Sequence, residues 1–385
     1  MNKKVKILIL TPHLINLGGT ELETLITAKL FLKNDIASNI DVFSPLKQSD
    51  FIKKLYNEDR IQFKYYPNFF HNRYLLKCDL VVKKIFKSIP RNFNLLEYFY
   101  WLIKKPFTKY NFVYVMCSTN QVYHYPIIAN FSLNKVIIKH TAVGEYNNWN
   151  MLFEKLLKKC KVILVTSKKQ KYELVNKYKL QNVDFIDVFI ENENKLLQIE
   201  ILKDEGFTFG MLCRISEEKR IEDGIKMVKK LYNLNYNVKL KINGIPKNND
   251  YLNYLINLIQ ELKAEEYIKL EPTIVAPSKV TEFYKNINAF LITSSAEGGP
   301  NTGLECMAAG IPILSYDVGA MKERLEPFKK LFIAENLDSL LVNAEYLVNY
   351  TEDEYNKLSN SIKKHYMEVY NNDIKFKKIK SFFTN

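Results

Sequence analysis

The stretch "INAFLITSSAEGGPNTGLECMAAGIPILSYD" (Ile287–Asp317) decides the fold. "INAFLITSS" (Ile287–Ser295) and "PILSYD" (Pro312–Asp317) are short, mostly continuous apolar runs, the pattern of strands buried on both faces of a parallel sheet. Between them "TGLECMAAG" (Thr302–Gly310) reads as a helix that stops at Gly310. A strand, a crossover helix and a second strand form the repeating unit of a doubly wound α/β domain. The loop "AEGGPN" then falls at the carboxyl end of the first strand. The free N–H groups of the helix start, near Asn301–Thr302, face the crevice where such folds bind ligands.

The same rhythm extends outward. "FTFGMLCRI" (Phe207–Ile215) and "YNVKLKING" (Tyr236–Gly244) are strands, and "IEDGIKMVKKLYN" and "DYLNYLINLIQELKAE" are helices. Upstream, the polar stretch "ENENKLLQIEILKDEG" (Glu191–Gly206) interrupts the alternation and reads as a linker. Before it come the strands "VKILILT" (Val5–Thr11), "NIDVFSP" (Asn39–Pro45), "FVYVMCS" (Phe112–Ser118), "KVIIKHT" (Lys135–Thr141) and "KVILVTS" (Lys161–Ser167). "ELETLITAKLFLK" (Glu21–Lys33) has helical spacing, with Thr20 as the expected N-cap. The expected organisation is two α/β domains, 1–195 and 205–365. A basic, amphipathic last segment, 366–385, packs back toward the first domain. Two such domains in tandem place a cleft between them.

Composition narrows the class. The chain has 385 residues, enough for two domains, and its 47% hydrophobic and 25% charged residues fit a globular protein. No apolar run approaches the roughly 18 residues of a spanning helix, and the run Val5–Leu10 is too short for a signal peptide. The five cysteines are scattered without zinc-ligand spacing, so neither a disulfide framework nor a metal site is expected, and a reducing cytoplasm is the natural home. The net charge is +14, and all of the excess lies in one half. Residues 1–200 hold 31 basic against 17 acidic side chains, whereas 201–385 hold 25 of each. That asymmetry points to one domain facing an anionic surface.

Four segments can carry chemistry. In the first, Glu297 on the loop and Glu305 in the helix offer acceptors to hydroxyl groups. Gly298 and Gly299 let the backbone approach a ligand, and the helix start suits a phosphate. Taken alone, the segment reads first as an ordinary turn with two solvated glutamates. In the second, "CRISEEKR" (Cys213–Arg220), Arg214 and Lys219 follow a strand and can bind a diphosphate, or can pair with Glu217 and Glu218 as a surface cluster. In the third, "LINLGGTE" (Leu14–Glu21), Gly18 and Gly19 precede a helix as an anion-tolerant turn or a plain helix-leading loop. It is neither a dinucleotide fingerprint nor a Walker loop. In the fourth, His140 ends a strand, where it hydrogen-bonds a sugar hydroxyl or is satisfied by the protein itself.

Together these segments resemble the retaining glycosyltransferases of family four, which have the GT-B fold of two Rossmann-like domains facing each other across a cleft. Gly18-Gly19-Thr20-Glu21 is similar to the family's Gly-Gly-x-Glu loop, Arg214 and Lys219 to its Arg-x4-Lys pair, and "EGGPNTGLE" to its E-x7-E motif. The resemblance covers essentially the whole chain. It is most specific across Phe207–Arg324 and looser across Pro45–Asn111. It implies that Glu297 contacts the donor sugar's hydroxyls and Glu305 the ribose. The segment Gly299, Pro300, Asn301 and Thr302 contacts sugar and diphosphate through its amides. Arg214 and Lys219 neutralise the leaving diphosphate, Gly18 and Gly19 close over it, and His140 sits near the reacting face of the sugar. No metal or other cofactor is implied beyond the nucleotide-sugar donor itself. Three departures stand out. Cys213 and Arg220 replace glycines usual in the family, and "EGGP" replaces the common "EGFG".

The implied function is transfer of a hexosyl or N-acetylhexosaminyl group, with retention, from a UDP- or GDP-sugar to a growing, lipid-linked cell-surface glycan. An epimerase of the same fold and a non-catalytic scaffold module are the alternatives. Residues 83–110 carry Lys83, Lys84, Lys87, Arg91, Lys104, Lys105 and Lys109 interleaved with aromatics. They suit an anionic membrane surface, or a helix with its aromatics in the core. A lipid-linked acceptor accounts for the basic half without a spanning helix and places the chain on the inner face of the cell membrane. No nucleic-acid module is visible.

Overall fold

The computed structural model describes residues 5–12, 14–15, 18–67, 70, 81, 84, 95–104, 109–117, 125–140, 156–200, 206–276 and 279–383, with the backbone alone at 55, 125 and 126. The chain divides into two compact units. Unit 1 comprises Met1–Phe189 with Lys375–Asn385, and unit 2 comprises Ile190–Ile374.

Among the described residues, unit 1 is built on seven parallel strands: β1 (Lys6–Leu10), β2 (Asn39–Phe43), β3 (Ile61–Lys64), β4 (Phe112–Cys117), β5 (Val136–His140), β6 (Val162–Val165) and β7 (Val183–Phe185). Their order is β3-β2-β1-β4-β5-β6-β7. Along β1, Ile7 and Ile9 enter one core cluster while Leu8 and Leu10 enter another. Apolar layers on both faces explain why the central strands read as unbroken apolar runs. The helix Gly19–Lys33 starts one residue before Thr20. Its N-cap is Gly18, in extended conformation and without a side-chain cap. Thr20 therefore lies inside the first turn, where its carbonyl accepts the Thr24 hydroxyl at 2.7 Å.

Unit 2 is built on six parallel strands: β8 (Phe207–Leu212), β9 (Val238–Asn243), β10 (Ile268–Glu271), β11 (Ala289–Ile292), β12 (Ile313–Tyr316) and β13 (Ile333–Ala334). Their order is β10-β9-β8-β11-β12-β13. Both sheets are thus Rossmann-like, with the strand order reversing between β1 and β4 and between β8 and β11 while all strands stay parallel.

The polar stretch read as a linker folds in part. Glu193–Leu197 is a helix of unit 2 packed against the helix Asn301–Ala309, and Leu196 and Ile199 are buried. The two apolar side chains and a bond from the Tyr366 hydroxyl to Glu193 Oε1 (2.6 Å) account for the difference. Residues 201–205 lie outside the described part.

The last helix, Asn372–Lys380, and the turn after it belong largely to unit 1. Phe376, Ile379 and Phe383 join the cluster under β1 and β4. Phe383 meets Phe31 and Phe112 edge-on, with ring centroids 5.1 and 5.2 Å apart. Phe383→Ala is expected to cost about 3–5 kcal/mol by emptying that site. Denaturant unfolding followed by a unit 1 probe reads this as a lower midpoint, and an unchanged midpoint contradicts the packing.

Candidate active site

In unit 2, the helix Asn301–Ala309 begins after Pro300 with no side-chain cap, so its first N–H groups point out of the β11 end without a capping oxygen. The loop before it is held from beneath. Gly319 has φ +54, and a Cβ there would sit 2.4 Å from the Gly298 carbonyl oxygen and 2.9 Å from that of Glu297. Arg324 is fully buried and donates from Nη1 to the Pro300 carbonyl at 2.6 Å. Gly303 leaves room for Met321, whose sulfur would lie 2.7 Å from an added Cβ. Gly319, Met321 and Arg324 thus shape the loop, and no motif in the sequence singles them out.

Lys219 and Glu297 are brought together. The Lys219 ammonium pairs with Glu297 Oε1, and the Ser294 hydroxyl donates to the same oxygen at 2.9 Å. Both side chains are 17% exposed, enough to be reached from solvent. The buried Thr293 hydroxyl lies 2.8 Å from the Lys219 carbonyl oxygen and 2.9 Å from that of Arg220. Nearby, the Ser295 N–H donates to the Glu218 carbonyl at 2.8 Å. These contacts tie the turn after β8 to the end of β11. Thr293, Ser294 and Ser295 also escape sequence reading. Arg214 stays more open, 3.9 Å from Glu218 Oε1. Cys213, Lys219, Thr293, Glu297, Pro300 and Thr302 line a small cleft. A wider pocket of about 370 Å³ lies in unit 1 between Gln48 and Lys64, and none of the nominated residues lines it.

The two lost glycines are accommodated. Arg220 takes the left-handed conformation itself (φ 47, ψ 48). Its guanidinium pairs with Asp223 Oδ2 at 2.7 Å and lies 5.0 Å from the centroid of the Tyr316 ring. These contacts offset a backbone cost of about 1–2 kcal/mol. Cys213 has no positive φ. The close approach there is met by Gly244, where a Cβ would fall 1.6 Å from the Cys213 carbonyl oxygen. Burial pushes the Cys213 thiol up to about 12, so it is neutral.

Glu305 lies deeper, 8% exposed. Burial pushes its carboxyl up to about 7, opposed by the Tyr284 hydroxyl, which donates to Oε2 at 2.7 Å, and reinforced by the charge of Glu191. Tyr284 is a further partner with no sequence signal.

Gly18, Gly19 and His140 belong to unit 1, whereas Arg214, Lys219, Glu297 to Thr302 and Glu305 belong to unit 2. A Cβ on Gly19 meets nothing within 4 Å, so packing within the unit does not require a glycine there. His140 closes β5, is buried, and is pushed down to about 4 by that burial, which leaves it neutral at pH 7. Beside it, the buried Lys139 donates to the Ile186 carbonyl and lies 3.9 Å from Glu23 Oε1.

The two Rossmann-like sheets place the fold in the GT-B class. A glycosyltransferase structure from Rickettsia africae matches with a TM-score of 0.73 at 16% identity, over 99% of this chain and 98% of the other. HepE of Anabaena, in complex with UDP, matches with a TM-score of 0.72 at 14% identity, over 98% and 99%. Residues 192–365 match the family "Glycosyl transferases group 1". That match lies within the second unit, Ile190–Ile374. The capsular polysaccharide biosynthesis glycosyltransferase CapM of Staphylococcus aureus is 27% identical over 155 residues, 38% of either chain.

The raised pKa of Glu305 has a stability signature. The folded value lies above the ordinary 4.5, so its contribution is fully present below pH 4.5 and is lost as pH rises through about 7. A shift of this size corresponds to roughly 3 kcal/mol. Glu305→Gln cannot ionise, so its stability relative to wild type should rise by about 2–3 kcal/mol between pH 4.5 and 8. The lowered pKa of His140 acts the other way, costing stability as pH falls from 6.5 toward 4. It is common to both proteins and cancels in the difference. Chemical denaturation across the pH range measures this, and a flat difference would rule the ionisation out.

Proposed function

We propose that this chain is a retaining glycosyltransferase. It moves a hexosyl or N-acetylhexosaminyl group from a UDP- or GDP-sugar to a growing, lipid-linked cell-surface glycan. The observation that carries the reading is the placement, in a unit of the group 1 family, of Lys219, Glu297 and an uncapped helix start on one loop edge, with Glu305 one turn further in. In the free protein Lys219 and Glu297 neutralise each other. A bound donor offers each a better partner: the diphosphate for the ammonium, the sugar hydroxyls for the carboxylate. The amides of Gly299, Asn301 and Thr302 and the helix dipole add donors to the phosphates. Lys219, and Arg214 from the rim, then stabilise the charge that grows on the diphosphate as the glycosidic bond breaks. Retention follows from a front-face departure in which the leaving phosphate takes the acceptor's proton. Glu305, near neutrality when free, is driven to the carboxylate by the ribose hydroxyls. His140, kept neutral by its burial, stands near the reacting face of the sugar.

Lys219→Ala is expected to lower kcat by about 100-fold, the scale of a lost transition-state donor. Glu305→Ala is expected to weaken UDP or GDP binding by about tenfold. Incubation with donor and lipid-linked acceptor, with the anomeric product read by NMR, is the direct test. An inverted product removes the retaining mechanism, and a changed sugar nucleotide formed without acceptor identifies an epimerase instead.

Work at a membrane surface is part of the proposal. In the helix Leu95–Lys104, Trp101 is buried and donates to the Tyr66 hydroxyl at 2.9 Å. Phe99, Leu102 and Ile103, at i, i+3 and i+4, are exposed by 53%, 41% and 78%. The aromatic segment thus divides between core and solvent. Lys83, Lys87, Arg91 and Lys105 lie outside the described residues. No helix among the described residues is long and apolar enough to cross a membrane. Phe99→Ser with Ile103→Ser should reduce co-sedimentation with anionic vesicles, and undiminished binding counts against this face.

A further inference from the structure

Unit 1 carries a knot of charge that the proposed transfer does not use. Asp41, in β2, is almost fully buried. Lys64, at the end of β3, pairs with its Oδ2, and the Tyr110 hydroxyl donates to the same oxygen. Lys6, at the start of β1, brings its ammonium to 3.9 Å from that oxygen and 5.7 Å from the centroid of the Tyr110 ring. The backbone fixes this convergence. The Lys6 N–H donates to Asn111 Oδ1 and the Asn111 N–H to the Lys6 carbonyl, both at 2.8 Å. Lys109, next to Tyr110, is the third cation. Its ammonium is held below the ordinary lysine range by the charge of Lys64 first and Lys6 second, against the pull of Asp41.

The ammonium groups of Lys6 and Lys64 therefore share one carboxylate within reach of the charge of a third, Lys109, and two positive charges are left over in one place. The side chains of Lys6 and Lys64 are 28% and 32% exposed, so the surplus is open to solvent. Crowded like charges repel, and a dianion removes the repulsion while gaining several ammonium donors. A carboxylate or a phosphodiester brings one charge and meets half of the surplus. We propose that Lys6, Lys64 and Lys109 form a binding site for a phosphate dianion, the end group of a phosphomonoester or a diphosphate. The buried Asp41 and Tyr110 hold Lys64 in place at its floor. The phosphate comes either from a soluble compound or from the headgroup of a lipid.

The test uses the full chain, inorganic pyrophosphate, and vesicles of phosphatidylcholine with or without phosphatidic acid. Because pyrophosphate also suits unit 2, binding is located by hydrogen–deuterium exchange. Peptides covering Lys6 and Lys109–Asn111 are expected to gain protection. In Lys6→Gln with Lys109→Gln, which keeps the Lys64, Asp41 and Tyr110 contacts, the concentration giving half protection should rise about tenfold or more. Lys168→Gln with Lys169→Gln, an equal change of charge on the helix Lys168–Asn176, should behave as wild type and separates the site from a general charge effect. Protection by pyrophosphate but not by vesicles identifies a soluble ligand. Protection by phosphatidic acid vesicles at lower phosphate concentration identifies a lipid headgroup. No protection at these peptides in wild type, or equal protection in Lys6→Gln with Lys109→Gln, overturns the proposal.

Discussion

The arrangement of unit 2 depends on one buried hydroxyl. Thr293, at the end of β11, reaches the carbonyl oxygens of both Lys219 and Arg220, just beyond the end of β8. The two strands are neighbours in the sheet, yet 74 residues separate Lys219 from Thr293 along the chain. A buried carbonyl needs a partner, and a hydroxyl between two of them fixes the spacing of the segments that bear them. With Glu218 and Ser295 bonded alongside, the ammonium of Lys219 and the carboxylate of Glu297 have little freedom to part without a competing ligand. Positioning of this kind lowers the ordering cost of binding.

The sequence was legible where burial is symmetrical. β1, β4, β5 and β6 in unit 1, and β8, β11 and β12 in unit 2, are covered on both faces and read as apolar runs. The strands that escaped are β3, β7, β10 and β13, and each lies at an edge of its sheet. β10, "IKLE", has one fully buried residue of four, and β13 has only two residues. An edge strand lacks one neighbour and part of its cover, so its composition carries a weaker signal. Thr20 misled because hydroxyl residues favour N-caps, yet Gly18, in extended conformation, already takes that position. The polar stretch from Glu191 misled because Leu196 and Ile199 are few among charges.

Within the site, residues bound by short spacing were legible and those bound by tertiary contact were not. Glu297 and Glu305 stand out because a loop and a helix keep them in one motif. Tyr284, Gly319 and Arg324 act through contacts with that motif from elsewhere in the chain, and Thr293 acts through the distant Lys219 and Arg220 carbonyls, so nothing local marks them. The departures at Cys213 and Arg220 show the same limit. At one, the demand for a glycine moved to Gly244. At the other, Asp223 and Tyr316 support a left-handed arginine. Neither compensation can be seen from the substituted residue alone.

The packing of Phe376, Ile379 and Phe383 into unit 1 has a consequence for biosynthesis. The sheet of unit 1 is made from the first 189 residues, but its core gains these three side chains only after unit 2 has been translated. At about 5–20 residues per second, that delay is on the order of 10–40 s. During it, Phe31, Phe112 and Tyr114 lack the ring that later covers them. Unit 2 is a continuous segment and can close as soon as it leaves the ribosome. The half of the molecule made first is therefore the half finished last, and it waits with an apolar seam open to chaperones and proteases.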